Sequence, residues 1–221
     1  MKKDTIKKDK EKLTNFDNYK YEHDLNKQGI SLIAGVDEVG RGPLIGPVVA
    51  AAVILPKDFT LPGLTDSKKL SEKKREEYYK IIKEKALAIG VGIISEKRID
   101  EINIYEATKE AMTEAINNLS IKPEHILIDA MPLKLDIPTT SIIKGDLLSI
   151  SISAASVIAK VERDHMLYDI DKEFPMYDLK NNKGYGTKKH LEAIKEYGIT
   201  KYHRLSYKPV FDNKDKINEG L

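Results

Sequence analysis

The sequence contains no cysteine among its 221 residues. This absence excludes disulfide bonds, thiolate nucleophiles and cysteine-bearing zinc sites, and it fits a reducing compartment. Long apolar runs are also missing, because the longest covers only residues 48–55, whereas a membrane-spanning helix needs about 20 residues. The charged N-terminus has no apolar stretch of the kind found in secretory signals. We therefore predict a soluble, cytoplasmic protein with no membrane partner.

Several catalytic signatures are missing too. The chain has no P-loop, no Gly-x-Gly-x-x-Gly after a predicted strand and no Gly-x-Ser-x-Gly elbow. Its five histidines show no zinc-like spacing. The acidic residues are therefore the first candidates for catalysis.

The net charge is close to zero, with 37 basic and 35 acidic residues. Such a balance at first argues against a polyanionic partner, since nucleic-acid-binding proteins are usually basic. The charge is unevenly distributed, however: residues 31–179 carry a net −5 and residues 180–221 a net +5. The near-zero sum therefore does not exclude a polyanionic partner, because screening makes local charge matter to a ligand more than the total.

Short apolar segments and helical spacing predict an α/β fold with one mixed five-stranded sheet flanked by helices. The predicted strands cover residues 32–36, 47–55, 89–94, 126–128 and 140–143. The predicted helices follow the N-cap residues Ser71 and Thr187 or cover residues 98–119 and 152–172. Within residues 98–119, an apolar stripe is formed by Ile104, Ala107, Ala111 and Ala115.

Three of the predicted strands deliver carboxylates at their C-terminal ends. Asp37 and Glu38 end the first strand, Asp129 ends the fourth, and Asp146 follows the fifth. If these strands are neighbours, four acids meet at one edge of the sheet, where burial and mutual repulsion raise their pKa values. Hard divalent cations with oxygen ligands relieve such repulsion, so the pattern predicts a Mg²⁺ or Mn²⁺ site.

A structural explanation competes with this interpretation. An Asp after a strand is commonly a turn or helix-cap residue. Strand alternation also puts Asp37 and Glu38 on opposite faces, and both reach one site only if the strand ends or bends there. Gly40 and Gly42 permit such a bend.

Candidate phosphate contacts follow the acidic pair. Glycines on either side of Arg41 let the backbone approach a ligand, and the planar guanidinium suits phosphate. Further candidates are Ser67, Lys68, Lys69, Lys144, Lys160, Arg163, Lys183, Tyr185, Lys188, Lys189, His203 and Arg204. Each lysine alone is more often a solvated surface residue, but a basic segment beside an acidic cluster favours two-metal phosphodiester chemistry.

These motifs, in this order, resemble the ribonuclease HII family, the type 2 ribonucleases H. They stand at residues 35–43 (GVDEVGRGP), 66–70 (DSKKL), 127–129 (LID), 144–146 (KGD), 153–160 (SAASVIAK), 163–164 (RD), 183–187 (KGYGT) and 203–210 (HRLSYKPV). The resemblance implies an RNase H-like fold with a C-terminal helical extension. The implied domains are a charged N-terminal arm (1–29), a catalytic domain (30–175) and a basic extension packed on it (176–221).

The resemblance also implies an activity and its cofactor. The expected enzyme is an endoribonuclease that hydrolyses the RNA strand of RNA/DNA hybrids. It also incises 5′ to single ribonucleotides embedded in duplex DNA and leaves 3′-hydroxyl and 5′-phosphate ends. Carried over by position, the catalytic and metal-binding acids are Asp37, Glu38, Asp129 and Asp146. The expected cofactor is Mn²⁺ or Mg²⁺.

Substrate contacts follow from the same resemblance. Gly40, Arg41 and Gly42 are expected to read the ribose 2′-hydroxyl, the group that separates RNA from DNA. Tyr185 is expected to stack on the sugar of the following deoxynucleotide. The loop with Ser67, Lys68 and Lys69 is expected to contact substrate, with one of its two lysines holding phosphate.

Two details refine the resemblance. The related type 3 family carries Lys where Arg41 stands and has a folded N-terminal domain, so Arg41 and the short arm favour type 2. Tyr207 occupies a position where Phe is usual, and we expect no functional effect of this exchange. A monomer is the expected oligomeric state.

Two other functions remain open on the residues alone. A different metal-dependent nuclease of the same fold, such as a resolvase or transposase, shares the acids but needs no Gly-Arg-Gly turn, and it cuts all-DNA substrates equally. A non-catalytic nucleic-acid-binding module uses the basic C-terminal segment but has no need of four carboxylates.

Overall fold

The computed structural model, which describes residues 18–64 and 70–219, contains one five-stranded sheet. The strands are β1 (Ile33–Val39), β2 (Val48–Ile54), β3 (Ala88–Ile94), β4 (His125–Asp129) and β5 (Thr139–Ile142). They lie in the order β3-β2-β1-β4-β5. β2 is antiparallel to both of its neighbours, whereas β1, β4 and β5 run parallel. The predicted mixed α/β sheet is confirmed.

Helices cover both faces of the sheet and continue into the C-terminal segment. They are α1 (Lys20–Lys27), α2 (Glu72–Lys85), α3 (Glu96–Asn117), α4 (Gly145–Leu148), α5 (Ile150–Glu173), α6 (Leu179–Asn182), α7 (Lys188–Tyr197) and α8 (Lys208–Phe211), with a 3-10 turn at Pro175–Tyr177. The side chains of Ser71 and Thr187 accept hydrogen bonds from backbone amides at the starts of α2 and α7, so both predicted N-caps are confirmed. None of these described helices has the length and apolarity needed to cross a membrane.

Helix α3 starts two residues before its predicted position and is broken at Asn103. Asn103 has φ +68°, and its Oδ1 accepts hydrogen bonds from the amides of Tyr105 (2.9 Å) and Glu106 (3.1 Å). It therefore acts as an N-cap inside the helix. Apolar periodicity did not predict this break, because the helical spacing of apolar residues continues through Asn103.

Small residues let the two long helices lie directly on the sheet. The predicted alanine stripe of α3 is confirmed, since its alanines are fully buried (Ala107, Ala111 and Ala115). A Cβ at Gly92 of β3 would lie 2.0 Å from the carbonyl oxygen of Ala111. On the opposite face, a Cβ at Gly35 of β1 would lie 2.0 Å from the Ser151 carbonyl carbon. Gly35 thus determines how closely α5 approaches β1, two positions before Asp37.

The C-terminal segment packs on the far end of α5. Leu167 and Phe174 of this region form a buried apolar cluster with Ile45, from the loop after β1, and with Val210. An isolated bridge between Ile45 and His203 joins the same two parts of the chain. The C-terminal segment is therefore in direct contact with the loop that follows the first acidic strand. The domain boundaries at 29 and 175 stay predictions.

Part of the N-terminal arm docks on the body of the protein. Glu22 of α1 is buried, and its carboxylate accepts hydrogen bonds from Ser149 Oγ (2.5 Å) and the Ser151 amide (3.0 Å) at the start of α5. Helix α1 is therefore attached to the start of α5 through a buried carboxylate. Residues 1–17, the remainder of the predicted arm, lie outside the described residues.

We predict that Gly35→Ala destabilises the protein by roughly 2 kcal/mol or more, because the added methyl group overlaps the Ser151 backbone and pushes α5 off the sheet. For a chain of this size each 1 kcal/mol lowers Tm by roughly 2–4 °C, which thermal unfolding followed by circular dichroism measures. Ser141→Ala, an exposed change in the edge strand β5, is the control and should shift stability by less than about 0.5 kcal/mol. A Gly35→Ala protein as stable as wild type would contradict the close contact of α5 with β1.

Candidate active site

The predicted acids gather at the carboxyl ends of the three parallel strands. β1 and β4 pair in parallel through Val36 and Ile128, so the next residues of the two strands, Asp37 and Asp129, lie side by side. β5 runs parallel on the other side of β4 and leads into α4, which carries Asp146 in its first turn. The strand neighbourhood on which the sequence prediction depended is therefore present.

Asp37 is buried against α5, with 5% of its surface exposed. Burial raises the pKa of its carboxyl well above the usual range, and the neighbouring charges of Glu38 and Asp129 raise it further. Hydrogen bonds from the Ser156 side chain and from the Glu38 amide (2.7 Å to Asp37 Oδ1) offset only part of this pKa shift. A carboxyl in such surroundings favours a bound proton or a nearby cation.

The loop after β5 is bonded directly to the end of β4. The Gly145 amide donates to Asp129 Oδ1 at 2.7 Å, one residue before Asp146. Ala130 (φ +47°) and Lys144 (φ +60°) both adopt left-handed backbone conformations. Such conformations are strained in residues other than glycine and cluster at functional sites. They turn the chain sharply at the end of β4 and just before α4.

Two serines one helical turn apart on α5 connect the acids. Ser153 Oγ donates to the carbonyl oxygen of Asp146 at 2.7 Å, and the Ser156 side chain bonds the carboxyl of Asp37. Because positions i and i+3 share a helix face, one face of α5 supports both loops. Sequence analysis assigned neither serine a role, although their spacing within an apolar helix was a usable signal.

The donor chemistry of these acids fits hard divalent cations. Within the described parts of the chain, no three histidine or acidic side chains stand close enough together to hold a metal ion. Asp37 nevertheless interacts electrostatically with Glu38 and Asp129, and Gly145 links Asp129 to the loop of Asp146. The predicted ligands are all carboxylates, which is the oxygen-only set that Mg²⁺ and Mn²⁺ prefer.

Residues 40–42, here named the glycine–arginine turn, follow the acids and are held from inside the protein. The buried Arg204 donates to the carbonyl oxygens of Gly40 (2.6 Å), Arg41 (3.2 Å) and Gly46 (2.7 Å). The Arg41 side chain itself is partly exposed and lies 3.6 Å from a Glu38 carboxylate oxygen. The backbone of the turn is thus anchored while its arginine side chain faces the acids.

Arg163 is a second buried arginine beneath this turn. Its guanidinium donates to the carbonyl oxygens of Ile45 (3.1 Å), Pro47 (3.0 Å) and Lys183 (3.1 Å). Gly40 has φ +96°, and a Cβ there would lie 2.3 Å from Arg163 Nε, so the position requires glycine. The interpretation of the two buried arginines as phosphate contacts is wrong, because both are buried and donate to backbone carbonyls.

Other predicted phosphate contacts are also engaged inside the protein. His203 is buried, Lys160 Nζ lies 2.6 Å from a carboxylate oxygen of Asp164, and Lys183 Nζ lies 4.2 Å from the centre of the Tyr168 ring. The exposed lysines of the set are Lys144, Lys188 and Lys189. The predicted substrate contacts that lie outside the described residues are Ser67, Lys68 and Lys69.

Two tyrosines meet the glycine–arginine turn. Tyr185 is half-exposed, and a Cβ at Gly42 would lie 3.1 Å from its Cε1 atom, so the ring covers Gly42 and still faces solvent. Tyr207 Oη donates to the carbonyl oxygen of Arg41 at 2.5 Å. Phe at position 207 would lack this bond, a contact that sequence analysis missed when it treated the two residues as equivalent.

Comparison with known proteins points to one family. The family model described as ribonuclease HII matches residues 34–210. The ribonuclease HII of Bacillus cytotoxicus is 62% identical over 202 residues, which cover 91% of this chain and 77% of that protein. The ribonuclease H2 structure from Pyrococcus horikoshii OT3 matches at TM-score 0.71 and 27% identity, over 83% of this chain and 97% of that one. Bst-RNase HIII, solved in complex with Mn²⁺, matches at TM-score 0.62 and 18% identity, over 84% of this chain and 70% of that one.

We predict that Asp37→Asn stabilises the metal-free protein at neutral pH. The raised pKa means that folded wild type holds the Asp37 proton more tightly than the unfolded chain does, so its stability falls as pH rises above about 3.9 and through the folded pKa. The Asn side chain does not titrate, so the variant's advantage should be small near pH 4 and grow toward pH 8. Thermal unfolding in EDTA across this range measures it, and about 1 kcal/mol corresponds to a Tm shift of 2–4 °C.

Asp58→Asn, at an exposed acid, is the matched control and should change stability by less than about 0.5 kcal/mol. Added Mn²⁺ should raise the Tm of wild type more than that of Asp37→Asn, since a ligand that binds the folded state stabilises it. If Asp37→Asn is less stable than wild type at pH 8 without metal, Asp37 is not under electrostatic repulsion.

Proposed function

This chain belongs to the ribonuclease HII family, and we propose that it incises duplex DNA on the 5′ side of single embedded ribonucleotides. As a member of that family it is a ribonuclease H, a metal-dependent endonuclease that acts on RNA/DNA hybrids. The proposal adds the single-ribonucleotide substrate, products with 3′-hydroxyl and 5′-phosphate ends, and two-metal-ion hydrolysis.

One observation carries the proposal: the buried Asp37, on which Glu38 and Asp129 act electrostatically, stands next to a glycine-lined turn. Asp37 and Gly40 are three positions apart, which is at most about 10 Å along the chain. A phosphodiester at the acids therefore has its ribose within reach of the glycine–arginine turn. Cleavage chemistry and recognition of the sugar can then act on the same nucleotide.

The residues that would hold the cations are Asp37, Glu38, Asp129 and Asp146. Bound Mg²⁺ or Mn²⁺ would supply Lewis-acid stabilisation of the phosphate oxygens and activation of the attacking water. The chain contributes oriented oxygen atoms: Ser156 bonds the carboxyl of Asp37, and the Gly145 amide holds Asp129. Fixed ligand orientation of this kind supports metal affinity.

The charge of the cluster makes substrate binding depend on cations. Glu38 and Asp129 both act electrostatically on Asp37. The negative charges that repel one another also repel the negative charge of a phosphodiester. We infer that the scissile phosphate enters only when divalent cations are present. The Mn²⁺ in the structure of Bst-RNase HIII, a protein of the same fold, supports this cofactor class.

Discrimination between RNA and DNA is assigned to the glycine–arginine turn. The 2′-hydroxyl distinguishes ribose from deoxyribose, and at Gly42, beside the Tyr185 ring, no side chain separates a ligand from the backbone. Arg204 ties the carbonyls of Gly40 and Arg41 to the interior, so the turn is rigid before substrate arrives. Tyr185 beside it offers a half-exposed ring to the sugar of the following deoxynucleotide.

We also propose further substrate contacts and an organisation of the chain. Ser67, Lys68 and Lys69 are proposed to contact the substrate, one of the two lysines by holding phosphate. Residues 30–175 are proposed as the catalytic domain and residues 176–221 as the extension that presents Tyr185. The protein is proposed to act as a monomer in the cytoplasm.

We predict that the protein, with Mn²⁺ or Mg²⁺, nicks a DNA duplex containing one ribonucleotide on its 5′ side. Asp129→Asn should lower that rate by on the order of 10²-fold or more, because the site loses one of the carboxylates that would hold the cations on which phosphate binding depends. Labelled strands on denaturing gels measure the rate, and ligase treatment reports the product ends. Asp58→Asn changes an exposed acid that follows β2 where β2 pairs with the start of β1, at the other end of the strand from Asp37, and should retain the wild-type rate.

The alternatives give different results in the same assay. Equal cutting of an all-DNA duplex would favour another metal-dependent nuclease of this fold. Tight binding with no incision, unchanged by Asp129→Asn, would favour a non-catalytic nucleic-acid-binding module.

We predict that Tyr185→Ala lowers single-ribonucleotide incision more than it lowers duplex binding. Stacking on an aromatic ring is worth roughly 1–3 kcal/mol, so the incision rate should fall by about 5- to 150-fold. Tyr105→Ala removes an equally exposed ring from α3 and serves as the control with unchanged incision. An unaltered rate in Tyr185→Ala would count against its assignment as the stacking residue.

A further inference from the structure

Two buried histidines connect the C-terminal segment to Tyr185. His190 lies on α7 and His203 lies beyond it, and their Nε2 atoms are 3.2 Å apart. Both rings are shielded from solvent, and the Tyr177 ring packs edge-on against them with centroid distances of 5.8 and 5.1 Å. Neither histidine has a part in the chemistry of the acids.

The hydrogen bonds determine which nitrogen of each ring carries the proton. The Thr200 amide donates to His203 Nδ1 at 2.9 Å, so in the neutral ring the proton lies on Nε2. His203 Nε2–H then donates to His190 Nε2, which leaves the His190 proton on Nδ1. His190 Nδ1–H donates to the carbonyl oxygen of Tyr185 at 3.0 Å. The bonds form one directed chain from Thr200 to Tyr185.

Both imidazole rings are neutral at neutral pH, as this series of hydrogen bonds requires. Burial lowers the pKa of His203 to about 3, with a further contribution from His190. Burial also lowers the pKa of His190. At neutral pH each ring therefore has one N–H group and one acceptor nitrogen. Every hydrogen bond of the series then pairs one donor with one acceptor.

We propose that His190 and His203 are positioning residues, which hold the Tyr185 backbone so that its ring stays over Gly42. The inference rests on the proposed function, in which Tyr185 stacks on the substrate sugar. It assigns the two histidines to substrate recognition although neither reaches the substrate.

The ring of Tyr185 is half-exposed, so its position depends on how its backbone is held. The two residues before it, Lys183 and Gly184, both have positive φ values of 52° and 83°, so the chain turns sharply into Tyr185. The Thr187 amide also donates to the Tyr185 carbonyl, at 2.8 Å, but that bond lies within the same loop. The histidine chain is the connection that ties this carbonyl to residues 200–203.

The same connection joins the two parts of the recognition site. His203 is followed directly by Arg204, whose guanidinium holds the carbonyls of Gly40 and Arg41. One dipeptide therefore anchors both Tyr185 and the glycine–arginine turn. The adjacent residues His203 and Arg204 therefore fix the position of Tyr185 relative to the glycine–arginine turn, and the substrate sugar is proposed to bind between the two.

Two substitutions at His190 separate positioning from simple core stability. In His190→Asn the amide nitrogen takes the place of Nδ1 and still donates to the Tyr185 carbonyl, but the bond to His203 is lost. In His190→Gln the amide takes the place of Nε2 and still meets His203, but the donor to Tyr185 is lost. If the histidines position Tyr185, kcat/KM for single-ribonucleotide incision falls about three- to tenfold in His190→Gln, the effect of one lost hydrogen bond, and His190→Asn restores most of it.

A merely structural role predicts the opposite order, because Asn leaves the larger cavity. Thermal unfolding of both variants therefore accompanies the kinetics. The Tyr185→Ala background supplies a double-mutant cycle, in which the difference between the Gln and Asn variants should vanish if His190 acts through Tyr185. Equal rates for the two variants, or a difference that persists in Tyr185→Ala, would overturn the positioning role.

A measurement on the unaltered protein guards against variants that fail to fold. Long-range ¹⁵N NMR correlations of the imidazole rings at pH 7 should show His203 protonated at Nε2 and His190 at Nδ1, and any other tautomer pair would overturn the proposal. Wild type that does not incise a single ribonucleotide would instead refute the proposed function itself. Active wild type with equal His190 variants would refute the positioning role alone.

Discussion

A carboxylate buried beside other carboxylates is the constraint on which the rest of this structure depends. β1 carries Asp37 into the interior, and the parallel neighbour β4 delivers Asp129 next to it. Such a charge is costly to bury unless it is hydrogen-bonded and neutralised. Gly35 lets α5 come close enough for Ser156 to bond the carboxyl, but the pKa of Asp37 remains raised. A bound divalent cation would offset this cost, and in the proposed function it would let a chain of near-zero net charge act on a polyanion.

Two buried arginines hold the loop that follows β1, which includes the glycine–arginine turn. The guanidinium of Arg204 donates hydrogen bonds to backbone carbonyls of the glycine–arginine turn. Arg163 donates in the same way to carbonyls of the segment after the turn. Removal of such a donor leaves buried carbonyls unsatisfied at about 1–3 kcal/mol each. The C-terminal segment thus holds the turn from inside the protein, and we propose that the basic extension contributes to substrate recognition through this backbone geometry as well as through charge.

The sequence carried the local and periodic features of this structure. Apolar runs marked the strands, Ser71 marked a helix start, and carboxylates after three strands marked the site, because each of these signals lies within a few residues. Polar contacts between residues far apart in the sequence have no such local pattern. Arg204 and Gly40 lie 164 positions apart, and a buried arginine that donates to carbonyls looks, in sequence, like an exposed one that awaits phosphate. The break at Asn103 was missed because helical spacing continues through it.

The central claim is that the acids at the ends of β1 and β4 form a divalent-cation site. Anomalous diffraction from crystals of the protein soaked in Mn²⁺ tests it most directly, since the signal locates the metal without reference to activity. The account predicts an anomalous peak beside the carboxylates of Asp37 and Asp129 in wild type and its loss in Asp37→Asn. Mn²⁺ peaks found only elsewhere on the molecule, in crystals of a protein that is active with Mn²⁺, would contradict it.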